Sequence, residues 1–260
     1  MELLVTITIL VILAGLIVGA TSFAKRRLAS VNELSAARNL MIAYHQYAGD
    51  HSGKLLEGYK TDQETTGPDG EYLHFPMNAR YPWRLMPYLG DPRETLTVNG
   101  NRNAWDAADP IYQVSVMPNL GINAVLVGGH YGSASPLPPT KRFTDAYGKF
   151  YVSHAHEVHD PSNLIVFASA RQSENERGYF EVRPPKLTQT LWSSEEFDED
   201  HPAKEHGFVD FRHGGKAVVA KFDGSAALMT EDEMRDMRMW SNQAAIMNLA
   251  DYTIRKADTP

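Results

Sequence analysis

Four groups of residues in this 260-residue chain are of a type and spacing that could do chemistry. Glu2 heads the run Glu2-Leu-Leu-Val-Thr-Ile-Thr-Ile-Leu10. A carboxylate among apolar neighbours is costly unless paired, so Glu2 marks either a function or a helix start favoured by the helix dipole. His213 and Asp223 would make an acid–base pair if they met. An extended Lys216–Phe222 at about 3.3 Å per residue keeps them more than about 20 Å apart. Asp223-Gly224 is therefore read as a turn and His213-Gly-Gly as the entry to a strand. His154 and His156, with His159 beyond, have a spacing that suits a metal if they share one face of a strand, and a surface edge strand is the simpler reading. Glu195, Glu196, Asp198 and Asp200 offer oxygens to calcium, but without the alternating ligands and glycine of an EF-hand loop they read as a solvated acidic loop.

Other chemistries have no footing. There is no cysteine, which removes disulfides, thiolate catalysis and Cys-ligated metal centres. No phosphate loop, nucleophile elbow or metalloprotease helix occurs, and no enzymatic activity is expected. The net charge is −7, with the basic residues scattered, so nucleic acid is not an expected partner.

The elements that must position these groups begin with one long helix. Leu3 to Ala20 is uncharged and of a length to cross most of a bilayer. Beyond it the apolar positions narrow to a stripe, Leu28, Val31, Leu34, Ala37, Met41, Tyr44 and Tyr47. No proline interrupts the run before Gly49–Gly53, so the helix should span about 70 Å. Residues 54–140 are rich in Gly, Pro and Asn and read as loops with one short helix at Trp83–Leu89 and a strand within Ile122–Val127; Ser133–Thr140 reads as a surface loop. Strands are expected at Lys149–Ser153, Leu164–Ala168, Gly178–Val182 and Lys216–Phe222, the last joined to Ser225–Met229 through a two-residue Asp223-Gly224 hairpin. Thr230-Glu-Asp-Glu233 reads as a capping box opening a second helix that carries Met234, Met237, Trp240 and Met247.

Several segments point beyond composition. They are Glu2-Leu-Leu-Val-Thr-Ile7, Ala36–Asp50, Tyr81-Pro-Trp-Arg-Leu-Met-Pro-Tyr-Leu89, His159-Asp-Pro-Ser-Asn-Leu-Ile-Val-Phe-Ala168 and Arg212-His-Gly-Gly-Lys-Ala-Val-Val-Ala-Lys-Phe-Asp-Gly224. In this order they resemble the prepilin-type proteins of planctomycete-like and verrucomicrobia-like bacteria, relatives of type IV pilins and type II secretion pseudopilins. The resemblance covers nearly the whole chain. It implies that Glu2 neutralises the N-terminal amine of a neighbouring subunit, with Leu3, Leu4, Val5, Ile7 and Leu10 in the assembly surface. It makes His213, Asp223 and Gly224 a structural family signature, and calcium a candidate ligand, since related pseudopilins hold one in sheet-side loops. In the family the glutamate is the fifth residue after cleavage, so Met1 is expected to occupy the fourth mature position, behind a short leader and three further residues. That leader would offset Lys25–Arg27, which by the positive-inside rule would otherwise keep the head in the cytoplasm.

The expectation is an α+β pilin-like fold: a long N-terminal helix on an antiparallel sheet, with inserted loops and a C-terminal helix. Residues 1–24 form a hydrophobic transmembrane or filament-core half, 25–50 an amphipathic half and 51–260 the head. The expected function is that of a structural subunit of a type IV pilus-like or pseudopilus-like filament, a polymer of itself. Its partners would be the assembly machinery, a prepilin peptidase and, before assembly, the inner membrane; afterwards the filament would be extracellular or periplasmic. The alternatives are a membrane-tethered binding module that never polymerises and a metal-dependent hydrolase using the histidines.

Overall fold

The structure, a computed structural model, describes residues 2–61, 63–99, 101–130, 140–173 and 176–256; within its helices the side chains of 2–5, 9–19, 22, 101–102 and 140–143 lie outside the description. The expected loop at Ser133–Thr140 falls almost wholly outside it. The chain is α+β. Helix α1 (Glu2–Asp50) is followed by short helices α2 (Tyr81–Leu85), α3 (Pro92–Leu96) and α4 (Pro110–Val116), and strand β1 (Leu120–Ile122). Then come α5 (Thr140–Tyr147), β2 (Ile165–Ser169), β3 (Lys216–Lys221), β4 (Ala226–Thr230), α6 (Glu231–Met234) and α7 (Asn242–Met247).

The four strands form one antiparallel sheet in chain order, β1-β2-β3-β4. Both of its faces are covered, which is why every residue of β2 is buried. On one face lies α1, whose Ala37, Leu40, Met41 and Tyr44 pack with Phe167, Val218 and Ala220. On the other, Ile165, Ala168 and Val219 meet Trp192, Phe211, Met234 and Trp240. A register shift between Ile165 and Phe167 breaks the alternation of β2. Val166 and Phe167 consequently both join the α1 side, as expected where one strand carries an extra residue.

The long helix ends where the glycines predicted, with Ser52 and Gly53 in left-handed conformations just beyond Asp50. The expected stripe holds from Leu34 onward, through buried Ala37, Met41, Tyr44 and Tyr47, but not before it. The first buried side chain among those described is Glu33, whereas Leu28 and Val31 are exposed. Among the described residues no helix is long and apolar enough to cross a membrane. This corrects the expectation that residues 1–24 anchor the protein in an inner membrane. The described side chains in and after that stretch include exposed Thr6, Thr8 and Thr21, then the exposed cations Lys25, Arg26 and Arg27.

Other elements differ in detail. Gly178–Val182 and Lys149–Ser153 are not strands. The first touches the sheet through isolated bridges from Gly178 and Glu181, and the second pairs only at Val152. The strand expected within Ile122–Val127 is instead β1, because buried Asn123 turns the chain and donates its amide to the carbonyls of Ile165 and Trp240. The capping box at Thr230 and Glu233 is present, but the helix it opens stops at Met234. Asp236 is extended and caps a single 3-10 turn, and Ser241 then caps α7. The β3–β4 hairpin has a three-residue loop, Phe222-Asp223-Gly224. It is closed by Lys221 N–H to Ser225 O (2.9 Å) and Gly224 N–H to Lys221 O (3.0 Å), with Gly224 left-handed. Phe222 is drawn into the loop because it is buried and its N–H is taken by Leu164.

Candidate functional site

The site with the most concentrated chemistry joins α1 to the sheet. Glu33 is fully buried one turn before Ala37 on the core face of α1. Arg212 grips it at both carboxylate oxygens, Nη2 to Oε1 at 2.7 Å and Nε to Oε2 at 3.1 Å. His213 Nε2 lies 3.0 Å from Oε2, and the Ser169 hydroxyl donates to Oε1 while accepting the N–H of Val218 at 2.8 Å. Arg212 Nη1 also donates to Asp210 at 2.6 Å and to Ala170 O, and Nη2 to Asn119 O. Burial alone would raise the Glu33 carboxyl. The Arg212 charge, the His213 contact and the Ser169 hydroxyl outweigh it and hold the group at about 2. The same carboxylates hold the Arg212 guanidinium above its usual range against its own burial. Both oxygens of Glu33 and all three nitrogens of Arg212 are engaged within this cluster, so it is built to clamp a helix to a sheet.

This clamp explains His213, which binds Glu33 at one end of β3, while Asp223 sits in the turn at the other and accepts the N–H of Ser225 at 2.8 Å. The two do not meet. Glu33 itself was missed by sequence reading. The signal that finds it is its position four residues before Ala37 and seven before Leu40, a carboxylate within the buried stripe that must find a partner.

Beside the clamp, α1 and the head enclose a groove of about 890 Å³. Phe23, Arg26, Arg27 and Val31 of α1 form one wall, and His213 and Leu228 belong to the head side. Phe23 is 66% exposed, Leu28 59% and Val31 52%. Of the expected assembly residues, Ile7 is 52% exposed; Glu2, Leu3, Leu4, Val5 and Leu10 lie on α1, their side chains outside the described residues.

The acidic loop is organised by arginines. Buried Arg171 donates to the carbonyls of Asp198 (3.0 Å), Glu199 and His201 (2.9 Å) and lies over the Phe197 ring. Arg235 donates to the carbonyls of Ser194 and Glu195, and Glu231 accepts the Phe197 N–H. The carboxylates of Glu195, Glu196, Asp198 and Asp200 stay exposed. His154 and His156 share no strand face, because Ala155–Glu157 is a 3-10 turn; their rings are 5.5 Å apart. The His159 N–H is taken by Asn242. Among the described residues no group of three or more His, Asp or Glu is placed to hold a metal ion.

No protein-family model, curated protein or solved structure matches the chain.

Proposed function

We propose that this chain is a structural subunit of a pilus-like or pseudopilus-like filament, a helical polymer of copies of itself assembled through the first half of α1. One observation carries the reading. The helix is 49 residues long, about 73 Å, yet its first described buried side chain is Glu33. Every described side chain from Ala20 to Leu28 other than those outside the description is exposed, among them Phe23 and Leu28, and Ile7 is exposed further back. Exposed apolar side chains such as Ile7, Phe23 and Leu28 are covered when identical helices pack side by side, without any other partner. The long helix lying on an antiparallel sheet agrees with the pilin-like resemblance, which also implies processing by a prepilin peptidase and delivery by an assembly machinery. The clamp at Glu33 would tie each head to the helix it decorates.

The test is sedimentation and negative-stain electron microscopy of the full chain over a concentration series, beside a Phe23→Asp/Leu28→Asp variant. Filaments from the parent chain, and dispersed folded subunits from the variant, are expected. A parent chain that stays monomeric at every concentration refutes the reading.

A further inference from the structure

A second buried arginine stands apart from the clamp. Arg84 of α2 donates through Nη2 to the carbonyls of Glu57 and Ala79, the latter at 3.1 Å, and through Nε to that of Arg80. Its Nη1 is equally buried and, among the described residues, meets no acceptor. Its charge is not met by a carboxylate either. Glu57, whose carbonyl it holds, gives its carboxylate to Lys54 at 2.8 Å and Lys60 at 3.2 Å, whereas Arg212 in the clamp holds both Glu33 and Asp210. Burial pushes the Arg84 guanidinium down to about 10.

The Tyr44 hydroxyl is a second donor here that, among the described residues, has no partner. It is fully buried, and burial raises it well above its usual range, so it keeps its proton. Ring contacts bring it to the Arg84 side of α1. Tyr44 and Tyr81 both pack on Phe167, at 5.7 and 5.3 Å between centroids, and Tyr47 packs on Tyr88 at 5.9 Å. Residues 81–88 therefore lie alongside α1, and Arg84, midway between Tyr81 and Tyr88, faces the turn that carries Tyr44 and Tyr47. Besides burial, the groups that act on the Arg84 charge are Tyr47, Glu57 and Tyr44.

We propose that a chloride ion sits between Arg84 Nη1 and the Tyr44 hydroxyl. A guanidinium can only donate, and the phenol hydrogen also needs an acceptor. One acceptor atom shared by both satisfies the two donors, and its negative charge offsets a buried cation that has no carboxylate. A water would satisfy the donors but leave the charge, and a polyatomic anion would bring extra oxygens that this pair does not meet. The ion would fasten α1 to α2 eleven residues, about three turns, beyond the clamp at Glu33, whether or not copies assemble.

Urea unfolding of the full chain, followed by tryptophan fluorescence, tests this in sodium chloride at constant ionic strength, with sodium gluconate as the balance. An ion bound only by the folded chain raises the folded-to-unfolded ratio in proportion to its concentration once past half-saturation, so a tenfold rise in chloride should raise the ratio about tenfold. Bromide should replace chloride, and gluconate, too large to enter, should not. Tyr44→Phe keeps the ring, removes one donor and should move half-saturation to chloride concentrations at least about tenfold higher. Arg84→Met should abolish the dependence; if that variant does not fold, Tyr44→Phe decides alone. A parent chain equally stable in chloride and gluconate overturns the proposal and leaves water as the partner of both donors. A chloride dependence that Tyr44→Phe leaves unchanged also overturns it, by placing the ion elsewhere.

Discussion

Replacing Glu33 with Gln keeps the shape of the clamp and removes its charge. Arg212 then faces a neutral amide on one side, with Asp210 as its remaining carboxylate. Two routes give the cost. A carboxyl moved from 4.5 to about 2 contributes about 3 kcal/mol of stability at neutral pH. Breaking a buried ion pair by removing one partner typically costs about 3–5 kcal/mol. The two agree on about 3 kcal/mol, a large share of a typical domain's total. Arg212→Met should cost more, because it strands both Glu33 and Asp210 in the interior. Urea unfolding followed by tryptophan fluorescence reads the difference, since Trp83, Trp192 and Trp240 are all fully buried. A Glu33→Gln loss below about 1 kcal/mol, or an Arg212→Met loss smaller than that of Glu33→Gln, would refute the assignment of Glu33 as the clamp's centre.

Three further outcomes follow from particular contacts. The Glu33 carboxyl is lower in the folded than in the unfolded chain, so its contribution is fully present above about pH 4.5 and disappears as pH falls through about 2; acid titration should show this loss in the parent and not in Glu33→Gln. Arg171→Met should free the acidic loop, raising protease cleavage between residues 194 and 201 about tenfold, while a chelator leaves the parent's unfolding midpoint unchanged because a guanidinium already occupies the loop's carbonyls; a chelator-induced drop would contradict this. Gly224→Ala should cost about 1 kcal/mol, since its φ is +88° but open space surrounds the new methyl, whereas Gly128→Ala would place Cβ 1.9 Å from Leu56 O and should abolish folding; equal effects on the midpoint would show that backbone conformation and not steric contact governs both sites.

The parts legible in the sequence are those fixed by local rules. Helix α1 ends at its glycines, the Thr230–Glu233 capping box forms, β2 and β3 fall on runs with β-branched residues bounded by turns, and β4 follows the Asp223-Gly224 turn. What escaped depends on partners far along the chain. Whether Gly178–Val182 becomes a strand depends on how it lies against β1, where a Cβ on Gly121 would come within 2.7 Å of Glu181's backbone, and only isolated bridges form. The hairpin loop lengthened to three residues because Leu164 and His45 both hold Phe222. The acidic loop read as solvated, and its carboxylates are, but its carbonyls converge on arginines that no local spacing announces. Glu33 was hidden because the stripe was traced through Leu28 and Val31, which lie on the neighbouring face.

The spacing between His213 and Asp223 acquires a mechanical meaning from these contacts. Arg212 and His213 hold α1 at Glu33, and the carbonyl of Phe222 accepts a hydrogen bond from His45 Nε2 at 2.7 Å, with the two rings edge to face. Along the helix the two held residues are twelve apart, about 18 Å; from Lys216, which Arg212 pairs with in an isolated bridge, to Phe222 just past β3, six steps cover about 20 Å. Strand and helix are therefore matched in length between two fixed points. A residue added to β3 would move one point by about 3.3 Å and exchange the faces of Val218 and Val219, detaching either the clamp or the hairpin. The spacing is thus set by packing alone, without any chemistry passing between the histidine and the aspartate. The clamp also stands at the first buried position among the described side chains of α1, after the stretch through which copies are proposed to join. Force carried along the helix from such a contact would enter the head at Glu33 and pass into the two central strands through Ser169 of β2, whose hydroxyl also holds the N–H of Val218 in β3.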